Sequence, residues 1–118
     1  MSQAKREAKR SLKWILVNIQ SHLEFDCLCL NRDTWVDENV KEIIEANFIF
    51  FQRGHTSSDG KTFMNRYHVA LEALPHCNIL DPRTGLSMFI ITVSEVYMSL
   101  SFYTSLLPFF FILLLNCS

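Results

Sequence analysis

A chain of 118 residues is long enough to bury one core and carry a tail, and too short for two domains of ordinary size. Its 11 basic and 12 acidic side chains leave a formal charge of -1, which excludes the strongly basic footprint needed to bind nucleic acid through its phosphates. The charges are segregated: Lys5, Arg6, Lys9, Arg10 and Lys13 all precede Trp14, and no charged residue occurs over 96–118.

The opening "MSQAKREAKR" has no apolar stretch of the kind a secretory signal requires, which predicts a reducing compartment and thiols rather than disulfides at Cys27, Cys29, Cys77 and Cys117. Ala4 and Ala8 are spaced for a helix, so residues 1–10 read as a basic helical segment. It is either a solvated helix end or, through Lys5, Arg6, Lys9 and Arg10, a surface for an acidic chain or an anionic membrane.

Next, "KWILVNIQ" (13–20) contains an apolar run with β-branched residues between polar flanks, the pattern of a strand buried on both faces. "VDENVKEIIEANF" (36–48) offers Asp37 as N-cap, Glu38 in the first turn, and Val40, Ile43 and Ile44 on one side, an amphipathic helix. "FIFFQ" (48–52) follows as a second buried strand, and "GHTSSDG" (54–60) reads as a loop with glycine at both ends. "KTFMNRYHVA" (61–70) sets Phe63, Tyr67 and Ala70 at helical spacing, and "HCNIL" (76–80) is a short strand after Pro75. "DPRTG" (81–85) forms a turn: Pro82 presets φ, Gly85 permits a positive φ, and Asp81 bonds the following backbone.

Strands alternating with helices predict an α/β layer structure whose first two strands are parallel, joined by a right-handed crossover. An antiparallel hairpin partner should follow the turn, then a helix covering the sheet.

Trp14, Asn18, Gln20, Glu24 and Phe25, followed by "LNRDTW" (30–35), "NFIFFQ" (47–52), Pro75 and "ILDPRTG" (79–85), resemble the UAS domain of UBX-domain proteins over residues 11–85. The resemblance implies a three-layer thioredoxin-like fold marked by Trp14, Trp35, Asp81 and Gly85, with Pro75 in cis. It also implies a ubiquitin-binding adaptor that acts in proteasomal, ubiquitin-dependent degradation through a AAA+ segregase, in cytoplasm or nucleus. Some relatives with such domains bind long-chain fatty acids, which extends here by family analogy alone.

Thiol chemistry on such a fold needs two cysteines one helical turn apart at a helix N-terminus, where the dipole lowers the attacking thiol's pKa. "CLC" (27–29) places its cysteines two apart, on different sides of a helix, so they read as small buried apolar residues and no enzyme is expected. His22, His55, His68 and His76 are scattered. His76 and Cys77, adjacent in a strand, point to opposite faces, so neither metal nor cofactor is expected. Arg32 and Asp33 are read as a local ion pair that helps seat Trp35, with a surface role as the alternative.

The resemblance stops at Gly85, and residues 86–118 form a hydrophobic tail foreign to the family, leaving the fold truncated. Residues 86–92 could serve as a substitute strand, with a hydrophobic helix after them. One reading makes 96–115 a transmembrane helix, because a mostly apolar, uncharged span of that length, about 20 residues, matches the hydrocarbon thickness of a bilayer. The protein would then be tail-anchored, with its N-terminus cytosolic. The other makes the tail translation past a splice junction, since runs such as "SLLPFFFILLLNCS" (105–118) are what a pyrimidine-rich stretch encodes.

Overall fold

The computed structural model describes residues 1–91; the expected membrane span 96–115 and the hydrophobic C-terminal helix lie outside the described residues. Helix α1 (Ser2–Ser11) leads into strand β1 (Trp14–Gln20), followed by a short helix α2 (Phe25–Cys29) that continues into a π-helical turn, Leu30–Thr34. Helix α3 (Glu38–Asn47) runs directly into β2 (Phe48–Gly54), and α4 (Ser58–Tyr67) precedes β3 (His76–Leu80) and β4 (Ser87–Ile91).

The four strands form one sheet in the order β2-β1-β3-β4. β1 and β2 are parallel, with Trp14 opposite Phe48 and Asn18 opposite Gln52, as the βαβ reading of 13–52 requires. β3 runs antiparallel to both β1 and β4, with Leu16 opposite Ile79 and Ile79 opposite Phe89. β4 is the hairpin partner expected after the turn at 81–85.

Helices cover both faces of this sheet, which explains why β1 is buried from Ile15 to Ile19 without alternation. On one side Leu16, Phe48, Cys77 and Ile79 pack with Leu30, Val40 and Ile44, while Trp14 and Trp35 close the edge of that core. On the other, Ile15, Val17, Ile19, Phe51 and Leu80 pack with Ala8 of α1 and Phe63 of α4. The fold is therefore a three-layer α/β structure. The basic N-terminal segment is part of one of these layers, because Ala8 is completely buried.

Local signals set the element ends. Asp37 caps α3 through Oδ1, which accepts from the N–H groups of Asn39 at 2.9 Å and Val40 at 3.1 Å. Helix α4 begins at Ser58, inside the stretch read as a loop, because Ser57 Oγ accepts from the Gly60 N–H at 3.0 Å and caps it. The same helix ends at Tyr67, before Ala70, where His68 adopts a left-handed conformation with φ 56°. Phe63 and Tyr67 stack at 4.4 Å between ring centroids as their spacing suggests, but Ala70 lies beyond the helix.

Candidate functional site

The chain leaves β1 at Gln20, turns at Ser21 and enters α2, so the N-terminus of a helix follows the C-terminal end of a central strand. A thiol enzyme on this scaffold would place its sulfurs there. Cys27 lies in the first turn of α2, but it is only 1% exposed, and its sulfur accepts the Ser21 N–H at 3.3 Å. Burial pushes its thiol pKa up; the Ser21 hydrogen bond opposes that, and the charges of Glu24 and Asp26 add to it. Cys29 is also buried, at the other end of the same short helix.

Cys77 sits behind them in β3, 1% exposed, with its pKa pushed up to about 12 by burial, against a weak lowering by the Asn18 amide. All three thiols are free. With raised pKa values, Cys27 and Cys77 stay protonated near neutral pH and are poor nucleophiles. His76, next in β3, faces the opposite side: its ring tilts against Phe63 at 5.7 Å, and burial lowers its pKa. Among the described residues no group of three His, Cys, Asp or Glu side chains is placed to hold a metal ion.

Four amides occupy this end of the parallel strand pair. Gln20 Nε2 donates to Asn18 Oδ1 at 2.6 Å and to Asn31 Oδ1 at 2.8 Å, and Asn31 Nδ2 donates back to Gln20 Oε1 at 2.9 Å. Gln52 Nε2 donates to the same two oxygens, each at 3.1 Å. Asn18 Nδ2 turns inward to the His76 carbonyl at 3.3 Å and the Cys77 sulfur at 3.4 Å. The network ties β1, β2, β3 and the π turn together without using a charge. Its signal in the sequence is Asn18, Gln20 and Gln52 at alternate positions on one sheet face, but Asn31 can be assigned to it only in three dimensions.

The Leu74–Pro75 peptide bond is cis, and it lies immediately before β3. Trp35 ends the π turn, where its N–H donates to the Leu30 carbonyl at 2.9 Å, and its ring tilts against Phe50 with centroids 5.0 Å apart. Arg32 pairs with Asp33 through two 2.8 Å contacts on the surface. The turn at 81–85 is closed by the Gly85 N–H donating to the Asp81 carbonyl at 2.8 Å, with Gly85 at φ 73°.

The structure divides the basic segment. Arg10 is paired with Glu7 at 2.6 Å on the outer side of α1. Lys5 reaches across to the turn at Gly85, close to Arg66 of α4. Sequence reasoning grouped Lys5, Arg6, Lys9 and Arg10 as one surface and gave no role to Arg66, whose approach depends on how α1 and α4 share a sheet face.

A family model described as thioredoxin-like matches residues 1–82. The chain belongs to the thioredoxin-like family. The thioredoxin-like chain is 46% identical over 85 residues to UBX domain-containing protein 2 of Schizosaccharomyces pombe, an alignment covering 72% of this chain and 19% of that protein. It is 43% identical over 83 residues to a UBX domain-containing protein 7 homolog of Dictyostelium discoideum, covering 70% of this chain and 16% of that one. Its fold is that of a thioredoxin from Thermus thermophilus, with a TM-score of 0.66 at 21% identity, covering 78% of this chain and 71% of the other. The thioredoxin-like chain thus corresponds to less than a fifth of these UBX-protein relatives, in the region where its sequence resembles the UAS domain.

Proposed function

We propose that this thioredoxin-like chain is a non-catalytic UAS module of a ubiquitin-binding UBX-family adaptor, working in the cytoplasm or nucleus. In this reading it serves ubiquitin-dependent proteasomal degradation through a AAA+ segregase, by holding other proteins rather than by transforming a substrate. The observation that carries the reading is the state of the thiols. The helix that follows β1 offers Cys27 buried beneath a backbone N–H, with its proton held more tightly than usual. Close by, at the end of the parallel strand pair, stands a network of neutral amides, and a rigid uncharged framework suits docking better than electron exchange. The names of the relatives support the UBX-family context.

Two measurements test this reading. Insulin reduction driven by dithiothreitol should proceed no faster with the full chain than without it, and turnover that disappears in Cys27→Ser or Cys29→Ser would refute the non-catalytic assignment. Proximity labelling from the full chain in cells should enrich ubiquitin conjugates and the segregase. Labelling of neither would remove the adaptor role.

A further inference from the structure

The strongest unassigned feature is a cleft where α1, the start of β1 and the turn at 81–85 meet. It measures about 480 Å³, with Leu12 and the half-buried Trp14 presenting apolar surface over buried Ala8 and Pro82, and Lys9 and Arg83 at its rim. Leu12 is 92% exposed, held out by a left-handed backbone at the end of α1. Among the described residues Asp81 is the one carboxylate lining the cleft, and it is already engaged by the Arg83 N–H at 2.9 Å and its guanidinium at 3.4 Å.

Beside the cleft, Lys5 and Arg66 converge on Gly85. A Cβ at that glycine would lie 3.2 Å from Lys5 Nζ and 3.8 Å from an Arg66 nitrogen, so both cations close over the same backbone atom. Among the described residues, Lys5, Lys9 and Arg66 have no carboxylate within ion-pair distance. The ammonium of Lys5 is held below its ordinary pKa, chiefly by burial and then by the charges of Arg66 and Lys9. Cations brought together without counter-charges repel one another, and a bound anion relieves that repulsion.

We propose that this cleft docks an extended acidic polypeptide, with carboxylates on Lys5, Lys9 and Arg66 and an apolar side chain against Leu12 and Trp14. Lys5 and Lys9 are four residues apart in α1, about 6 Å along its axis. Alternate side chains of an extended chain are about 6.7 Å apart, so acidic residues at every second position fall in step with them. A lipid surface offers no such spacing, and a concave floor fits a protruding side chain better than a plane. The docking stands independently of the adaptor reading, since it concerns another part of the molecule and another measurement.

The test uses the full chain and a fluorescein-labelled peptide with Glu at alternate positions and one Phe, measured by fluorescence anisotropy. Saturable binding that weakens as salt is raised is expected, with loss when Gln replaces Glu in the peptide. Lys5→Glu and Arg66→Glu should each weaken binding at least about tenfold. Arg6→Glu, at an exposed position that neither lines the cleft nor reaches Gly85, should change it less than about twofold. Equal weakening by Arg6→Glu would overturn the proposal, because it would show general charge attraction. Phosphatidylserine vesicles that bind in a Lys5-dependent way while the peptide does not would overturn it in favour of a membrane. Should a charge reversal disturb folding, the amide resonance of Gly85 in the unaltered chain decides: it shifts on peptide addition, or the cleft is not the site.

Discussion

The side-chain amide of Asn18 donates to the sulfur of Cys77 at 3.4 Å, joining the centre of β1 to β3 beneath the surface. The pKa of that thiol is pushed up to about 12 from 9.0 because burial outweighs the stabilisation a thiolate would draw from the amide. A folded-state value above the unfolded one means full stability below about pH 9, falling as the pH rises toward the folded value. The slope should reach about 1.4 kcal/mol per pH unit over that interval, because the unfolded chain sheds the proton first. Denaturant melts from pH 8 to 11 should show the decline, and Cys77→Ala should make it shallower, leaving the part that the raised pKa of Cys27 contributes. A Cys77 that reacts with a thiol reagent as fast before unfolding as after would contradict the burial argument.

Gly60 should reverse an ordinary rule. Alanine in place of glycine inside a helix usually stabilises by roughly 0.5–1 kcal/mol. Here an added Cβ would lie 2.0 Å from the Gly54 carbonyl oxygen, a main-chain atom. That oxygen also accepts from Ser57 Oγ at 2.7 Å, within the cap of α4. Gly60→Ala is expected to cost roughly 2 kcal/mol and to lower the melting temperature by several degrees. An unchanged or higher melting temperature would show that the junction of β2 and α4 can give way.

Trp35 brings volume to the core at the price of a stranded polar atom, since its Nε1 is buried with no hydrogen-bond partner among the described residues. Trp35→Phe keeps a ring against Phe50 and removes the stranded N–H, so its net effect should stay below about 1 kcal/mol. Trp35→Ala loses the ring and should cost about 3 kcal/mol. Equal losses in the two variants, read from chemical denaturation, would mean that the indole nitrogen matters as much as the ring.

Asp81 governs the acid side. Its pKa is held below the ordinary value, first by the Arg83 N–H; burial opposes this next, and the Arg83 guanidinium and the Thr84 N–H lower it further. A lowered folded-state value contributes stability above about pH 4 that is lost as the pH falls through the folded pKa. Asp81→Asn should therefore be less stable than the natural chain near neutrality, and the difference should shrink as the pH falls below about 4. Melting curves that stay parallel across that fall in pH would remove Asp81 from the acid response.

Much of this architecture was legible because the deciding interactions are local. Asp37 states the start of α3 in its own side chain, the apolar run at Ile15 declares a strand covered on both sides, and the 81–85 turn announces a reversal through Pro82 and Gly85, whereas the run at Phe48, read as a second buried strand, lies at the sheet edge with only Phe48 and Phe51 buried. The start of α4 was misplaced because "GHTSSDG" has the composition of a loop while Ser57 acts as a cap. The π turn at Leu30–Thr34 has no periodic signature, since one inserted residue shifts every later side chain around the axis. Asn18, Gln20 and Gln52 leave a trace of the amide network in the strand pattern, but Asn31's place in it and the Lys5–Arg66 approach have none: each joins residues far apart in sequence that only the packing of helical segments on the sheet brings together.

The closed ring of amides at the ends of β1 and β2 has no group that titrates between strong acid and strong base, and no sulfur takes part except as the acceptor for Asn18. Neither acidification nor a change in cellular oxidant can switch its pattern. The shape of this corner is therefore set by the register of β1 against β2 and by the placing of the π turn, rather than by the state of the surrounding medium.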